Sequence, residues 1–201
     1  MRQLFWLLGA VLGGGCSETA SQTPVQTVSE SVPERRESGF QRNGDRYTGR
    51  VTNPTSGVEL AVVVDFPKGE GPWPLLVVVP GGTLSGERAL PAQERVEWTE
   101  TGFAVATWDP DGRGESGGEE DRGGHIHQDG LAAVIDEVSM LPDVDTERVG
   151  LVSLSYGVVM ATGMLSRHVS PVLFLVDWEG PASRWDTMDC ATDISRPGGP
   201  P

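Results

Sequence analysis

The sequence predicts an α/β fold in which a mostly parallel sheet lies between helices in three layers. Three observations predict it. From Arg46 onward strand-like and helix-like segments alternate, the pattern left by parallel strands joined through helical crossovers. Two of the strand-like segments, Leu75–Val79 (LLVVV) and Phe103–Trp108 (FAVATW), are continuous apolar runs, as expected of strands covered on both faces. The turns after three of the strands concentrate Gly, Ser, Pro and Asp, at the carboxyl ends where such sheets gather reactive groups.

The elements follow in order. Arg46–Thr52 and Val58–Phe66 read as strands, the second closed by Pro67 and the turn KGEGP. After Leu75–Val79 comes a weakly helical stretch, Pro91 to Glu100, and then the strand Phe103–Trp108. A long Gly- and acid-rich loop leads into QDGLAAVIDEVSMLP, where Leu131, Val134, Ile135, Val138 and Leu141 recur at helical spacing and Pro142 marks the end. A strand over Val149–Leu154, a helix from about Tyr156 to Arg167 and a strand over Val172–Val176 complete the pattern.

Composition narrows the function. Among 201 residues, 29 acids against 15 bases leave a net charge of −14, which repels phosphate backbones and excludes nucleic acid as a natural partner. Arg2, the apolar Leu4–Leu12 and Gly13-Gly14-Gly15 precede Cys16. Nine apolar residues in a helix reach only about 14 Å, too short to span a bilayer. The segment resembles a bacterial lipoprotein signal, although Gly13 stands where Leu is usual. That resemblance implies export, lipidation of Cys16 and a cell-envelope location, with the lipid as membrane anchor. Ser17 to Asp45 is polar, contains Pro and lacks apolar periodicity, as in a disordered tether. The expected organisation is thus a signal over 1–16, a tether over 17–45 and a folded domain over 46–201. Cys190 is the only other cysteine, so a lipidated Cys16 leaves it without a partner in the chain.

The segment RVGLVSLSYGVVMA, Arg148 to Ala161, holds the leading catalytic candidate. A nucleophile elbow places a serine on a strained turn between strand and helix, crowding the residues two before and two after. Ser155 has Ser153 and Gly157 at those positions, both small, whereas Ser153 would have Leu151 and Ser155. Ser155 is therefore the candidate, against the plainer reading of a helix cap. Gly81 and Gly82 end the Leu75 strand, and the backbone N–H of Gly82 with that of Tyr156 could face a developing oxyanion. In DPDGRGESGG, Asp109 to Gly118, the residues Asp109, Gly112, Gly114 and Ser116 spell D-x-x-G-x-G-x-S.

Together, Pro-Gly-Gly, D-x-x-G-x-G-x-S and S-x-S-x-G, on successive strands, resemble the α/β-hydrolases, nearest the dienelactone-hydrolase, acyl-peptidase and esterase-like members. The resemblance covers about Arg46 to Asp177. It implies a serine hydrolase acting on small-molecule or peptide acyl substrates without a cofactor, and it makes Asp177, at the end of the sixth family strand, a possible acid. It also implies a catalytic histidine further toward the C-terminus. His168, thirteen residues after Ser155, falls at the far end of the intervening helix. The expectation is accordingly a hydrolase domain truncated after its sixth strand. A triad rearranged onto His125 or His127, and a membrane-tethered binding module without catalysis, are the alternatives. Two further patterns compete. Gly112 to Gly117 is a literal G-x-G-x-x-G, but acids rather than a helix follow it. His125 and His127 near Glu119, Glu120, Asp121 and Asp129 could draw a metal, yet the stretch reads as a loop with no third ligand set by spacing, so no metal is expected.

Overall fold

The structure, a computed structural model, describes residues 39–180. The expected signal, Cys16, most of the tether and Cys190 lie outside the described residues. Among the described residues no helix is long and apolar enough to cross a membrane.

Among the described residues seven strands form one sheet: β1 (Phe40–Asn43), β2 (Arg46–Thr52), β3 (Glu59–Asp65), β4 (Trp73–Val79), β5 (Ala104–Trp108), β6 (Val144–Leu154) and β7 (Val172–Trp178). Their order is β1-β2-β3-β5-β4-β6-β7. The pairings make β2, β4, β5, β6 and β7 run one way and β1 and β3 the other. The sheet is thus mostly parallel, as expected, with an antiparallel flank. β1 falls inside the span read as tether: Phe40–Asn43 pairs with Arg46–Gly49 as the outer arm of a hairpin turning at Gly44. Four residues with one partly buried apolar side chain carry no periodic signal, and only the neighbouring β2 makes them a strand.

Among the described residues four helices connect the strands: α1 (Gly86–Ala89), α2 (Ala92–Thr99), α3 (His125–Ser139) and α4 (Gly157–Arg167). Fully buried Leu131, Val134, Ile135 and Val138 of α3, with Met160, Ala161 and Met164 of α4, pack against Leu60, Val62, Leu75, Val77, Val149 and Leu151 from the sheet. A smaller cluster, Val78, Leu90 and Val105 with Trp98 and Leu154 beside it, joins the sheet to α1 and α2. The chain leaves β4 for β5 in one direction and then returns past β4 to β6. Right-handed crossovers of opposite sense put their helices on opposite faces and open a crevice at the carboxyl ends of the strands flanking the reversal. Those flanking strands are β4 and β6, which carry Gly81-Gly82 and Ser155. β7 ends the sheet among the described residues, and its Leu173, Phe174, Val176 and Trp178 stand exposed.

Candidate active site

The turn at Ser155 forms between β6 and α4 in the left-handed region, with φ of 50°. Serine pays a steric penalty there that glycine escapes, and a neighbouring bond holds it in place. The Ser155 N–H donates to the carbonyl of Trp178 at 2.8 Å, extending the β6–β7 pairing through the turn. The Ser155 side chain is exposed, and its hydroxyl has no hydrogen-bond partner among the described residues.

The crowding expected around such a turn is present. A Cβ on Gly157 would lie 2.5 Å from the Val79 carbonyl oxygen, and one on Gly81 would lie 2.2 Å from that of Leu154. The ends of β4 and β6 are thus in backbone contact, and glycine on both sides permits it. Gly82, with φ of 50°, is exposed beside this contact. Neither its N–H nor that of Tyr156 finds an acceptor among the described residues. The arrangement offers an accessible hydroxyl and unpaired amides at the crevice. Ser153 is fully buried, and it does more than stay small: its Oγ donates to Asp177 Oδ1 at 3.2 Å across the β6–β7 register. Asp177 is exposed and turned toward Ser153.

The D-x-x-G-x-G-x-S loop is held from within. Asp109, at the end of β5, accepts the N–H of Gly86 with Oδ1 and that of Glu115 with Oδ2, each at 2.7 Å. Ser116 Oγ donates to the Asp109 carbonyl at 2.6 Å and accepts the Ala61 N–H at 2.9 Å. A Cβ on Gly114 would lie 2.0 Å from the Asp109 carboxylate. The motif thus clasps β5 to α1 and β3. Buried Asp111 accepts Asn53 Nδ2 at 2.7 Å and the Ser56 hydroxyl.

The acids that follow are occupied as well. Glu120 takes a bidentate grip from buried Arg113, with both contacts at 2.7 Å. Burial raises its pKa, but the Arg113 hydrogen bonds outweigh that and hold the carboxyl below its ordinary range. Asp121 accepts the Ile126 N–H at 2.8 Å. This carboxylate satisfies an amide in the first turn of α3, so the helix starts at His125, whereas the sequence reads as a loop through both histidines. Among the described residues no three His, Cys, Asp or Glu side chains gather closely enough to hold a metal ion.

None of the three histidines is joined to Ser155 by a hydrogen bond. His127 is fully buried, with Nε2 2.9 Å from the Asp111 carbonyl and Nδ1 accepting the Gly123 N–H at 3.1 Å. Nε2 also lies 3.2 Å from the Asp121 N–H, so the ring meets one carbonyl and two backbone amides. Burial drives its pKa below the usual value, against the hydrogen bond to Asp111. His168 caps the far end of α4, with Nε2 2.7 Å from Asp129 Oδ1. Burial raises the Asp129 pKa, but hydrogen bonds from Thr55, His168 and Arg167 overcome it and leave the pKa lowered. His125 is exposed at the start of α3, where its carbonyl accepts from Arg167. These contacts put the histidines to use on the seam between α3, α4 and the loops.

The sheet order, the left-handed turn between β6 and α4 and the glycine contacts beneath it are those of an α/β-hydrolase fold. Residues 56–194 match the X-Pro dipeptidyl-peptidase (S15) family, and the chain belongs to that family. An uncharacterized protein of Pseudomonas aeruginosa is 28% identical over 166 residues, covering 74% of this chain and 44% of its own. The chain thus spans less than half the length of that relative. A solved serine hydrolase without a lid from Xanthomonas campestris superposes with a TM-score of 0.52 at 25% identity, covering 74% of this chain and 67% of its own. Acetyl xylan esterase 1 from Thermoanaerobacterium gives a TM-score of 0.56 at 20% identity, over 80% and 57% of the two chains.

Proposed function

We propose that the chain is the nucleophile-bearing part of a serine hydrolase that transfers an acyl group from an ester, thioester or peptide to water. Ser155 is the nucleophile in this reading, and the N–H groups of Gly82 and Tyr156 receive the oxyanion. The observation that carries it is the exposed Ser155 hydroxyl on a turn with φ of 50° between strand and helix. Membership of a peptidase family supports the reaction class. Asp177 is the acid of the proposal, oriented by Ser153. His127 and His168 are held in other contacts and His125 makes no hydrogen bond to Ser155, so in this proposal the base comes from polypeptide outside this chain, part of a longer hydrolase. The chain's 44% coverage of its Pseudomonas relative accords with this.

Without a base, Ser155 stays a neutral alcohol at pH 7. The elbow and amides alone leave about 10³-fold over water, the residue seen when a triad is broken. A serine-reactive fluorophosphonate, followed by intact mass and peptide mapping, should label Ser155 slowly and no other serine. Hydrolysis of a p-nitrophenyl ester should be weak and lost in Ser155→Ala. Absence of any Ser155 adduct overturns the nucleophile and leaves a non-catalytic binding module. Robust turnover lost in Ser155→Ala overturns the external base. If it is also lost in a His125→Ala, His127→Ala double variant, the triad is internal. We further propose export with lipidation at Cys16, which anchors the domain to the bacterial envelope. Mass spectrometry of the mature N-terminus should find a diacylglyceryl cysteine, and an unmodified Met1 would exclude it.

A further inference from the structure

We infer that Trp98 and Trp178 form an aromatic subsite beside Ser155 that receives a planar, uncharged aromatic group of the substrate. The inference rests on Ser155 being the nucleophile and names the substrate class of that same site. Trp178 is bonded directly to the elbow, since its carbonyl accepts the Ser155 N–H at 2.8 Å. Its Cα partner across the sheet is Leu154, the residue before the nucleophile. In a parallel pair such neighbours project to one face. On that face Leu154 and Trp98 pack against the buried Val78, Leu90 and Val105.

The two indoles are parallel within 5°, with centroids 6.5 Å apart. Trp98 is half-buried and supported by the small core, whereas Trp178 is 55% exposed. One ring is therefore anchored, while the other presents aromatic surface to solvent from the residue whose carbonyl holds the Ser155 N–H. A large rigid aromatic surface binds a flat apolar group at little conformational cost and prefers offset or edge contacts with another ring. Charge refines the preference. Asp177 and Glu179 flank Trp178 in the chain, and both are exposed. Glu179 is itself held at φ of 59° just past the bonded carbonyl. Two exposed carboxylates adjoining Trp178 in the chain, on a protein of net charge −14, disfavour an anionic aromatic group and admit a neutral one.

Ligand-observed NMR on the full chain carrying Ser155→Ala tests this without requiring turnover. The probes are naphthalene-2-carboxamide, its saturated counterpart decahydronaphthalene-2-carboxamide, and 2-naphthoate. The planar amide should bind about tenfold more tightly than either of the others, and Trp98→Ala or Trp178→Ala should each remove most of that advantage. Trp98→Phe and Trp178→Phe should keep part of it, and they cover the case in which an alanine variant does not fold. Equal binding of the planar and saturated amides overturns the subsite, as does unchanged naphthamide binding in all tryptophan variants. The outcomes separate from those of the nucleophile. A chain that binds naphthamide through both tryptophans, yet gives no fluorophosphonate adduct, retains the subsite and loses Ser155 as nucleophile. Ser155 labelling without any planar preference does the reverse.

Discussion

Two turns at the same edge of the sheet treat their polar groups in opposite ways. In the loop after β5 and the first turn of α3, Asp109, Asp111, Arg113, Glu120, Asp121 and His127 all spend their hydrogen-bonding capacity on nearby backbone or side chains. At the elbow after β6, the Ser155 hydroxyl and the Gly82 and Tyr156 amides spend none within the described residues, and the serine stands in a strained conformation. Buried polar groups must be paired to be tolerated, so the first loop is architecture. Exposed, unpaired groups on a backbone held rigid by its neighbours remain free for a ligand. Content of acids and histidines points to the β5 loop as the reactive one, and bonding points to the elbow.

Four measurements would break or sharpen this contrast. The largest effect is expected where the elbow leaves no room. Gly81→Ala puts a methyl 2.2 Å from the Leu154 carbonyl oxygen, and backbone cannot yield as a side chain can. Chemical denaturation should show a loss of about 3 kcal/mol or more; a neutral result would mean that β4 and β6 are not in contact there.

Asp109→Ala should follow closely. It strands the N–H groups of Gly86 and Glu115 and should cost about 2–3 kcal/mol, with increased amide exchange across Gly112–Ser116. A surface-like loss of a few tenths would deny the clasp.

A pH effect of intermediate size belongs to His127. Its folded pKa lies below the ordinary imidazole value because the ring is buried, so the unfolded chain binds the extra proton first. Stability is then fully present above about pH 6.5 and falls as pH drops below it, by up to about 1.4 kcal/mol per unit until the folded ring also titrates. His127→Gln should be less stable at pH 7.5 yet lack this part of the acid slope, and an identical slope in both chains would contradict it.

The smallest effect has the opposite sign. Ser155→Gly relieves the left-handed strain and should stabilise by about 1 kcal/mol while abolishing fluorophosphonate labelling, whereas Ser155→Ala should abolish labelling without the gain.

Much of this was legible in the chain itself. Continuous apolar runs in LLVVV and FAVATW identify strands covered on both faces, and the spacing of Leu131, Val134, Ile135 and Val138 identifies the buried side of α3. Small residues on either side of Ser155 single it out over Ser153, because the sterics of a tight turn act within five residues. Such local rules determined the element order, the class of fold and the candidate nucleophile. Other features depend on residues distant in sequence. β1 exists only because β2 pairs with it. α3 begins at His125 because Asp121 bonds the Ile126 amide. His127 and His168 are engaged by Asp111, Gly123 and Asp129, partners that spacing along the chain does not disclose. Trp98 meets Trp178 across 80 residues because α2 and β7 are carried to one face of the sheet. Chain pattern records which residues seek burial or a turn; which polar groups remain unpaired is a property of packing, and tertiary structure alone decided it.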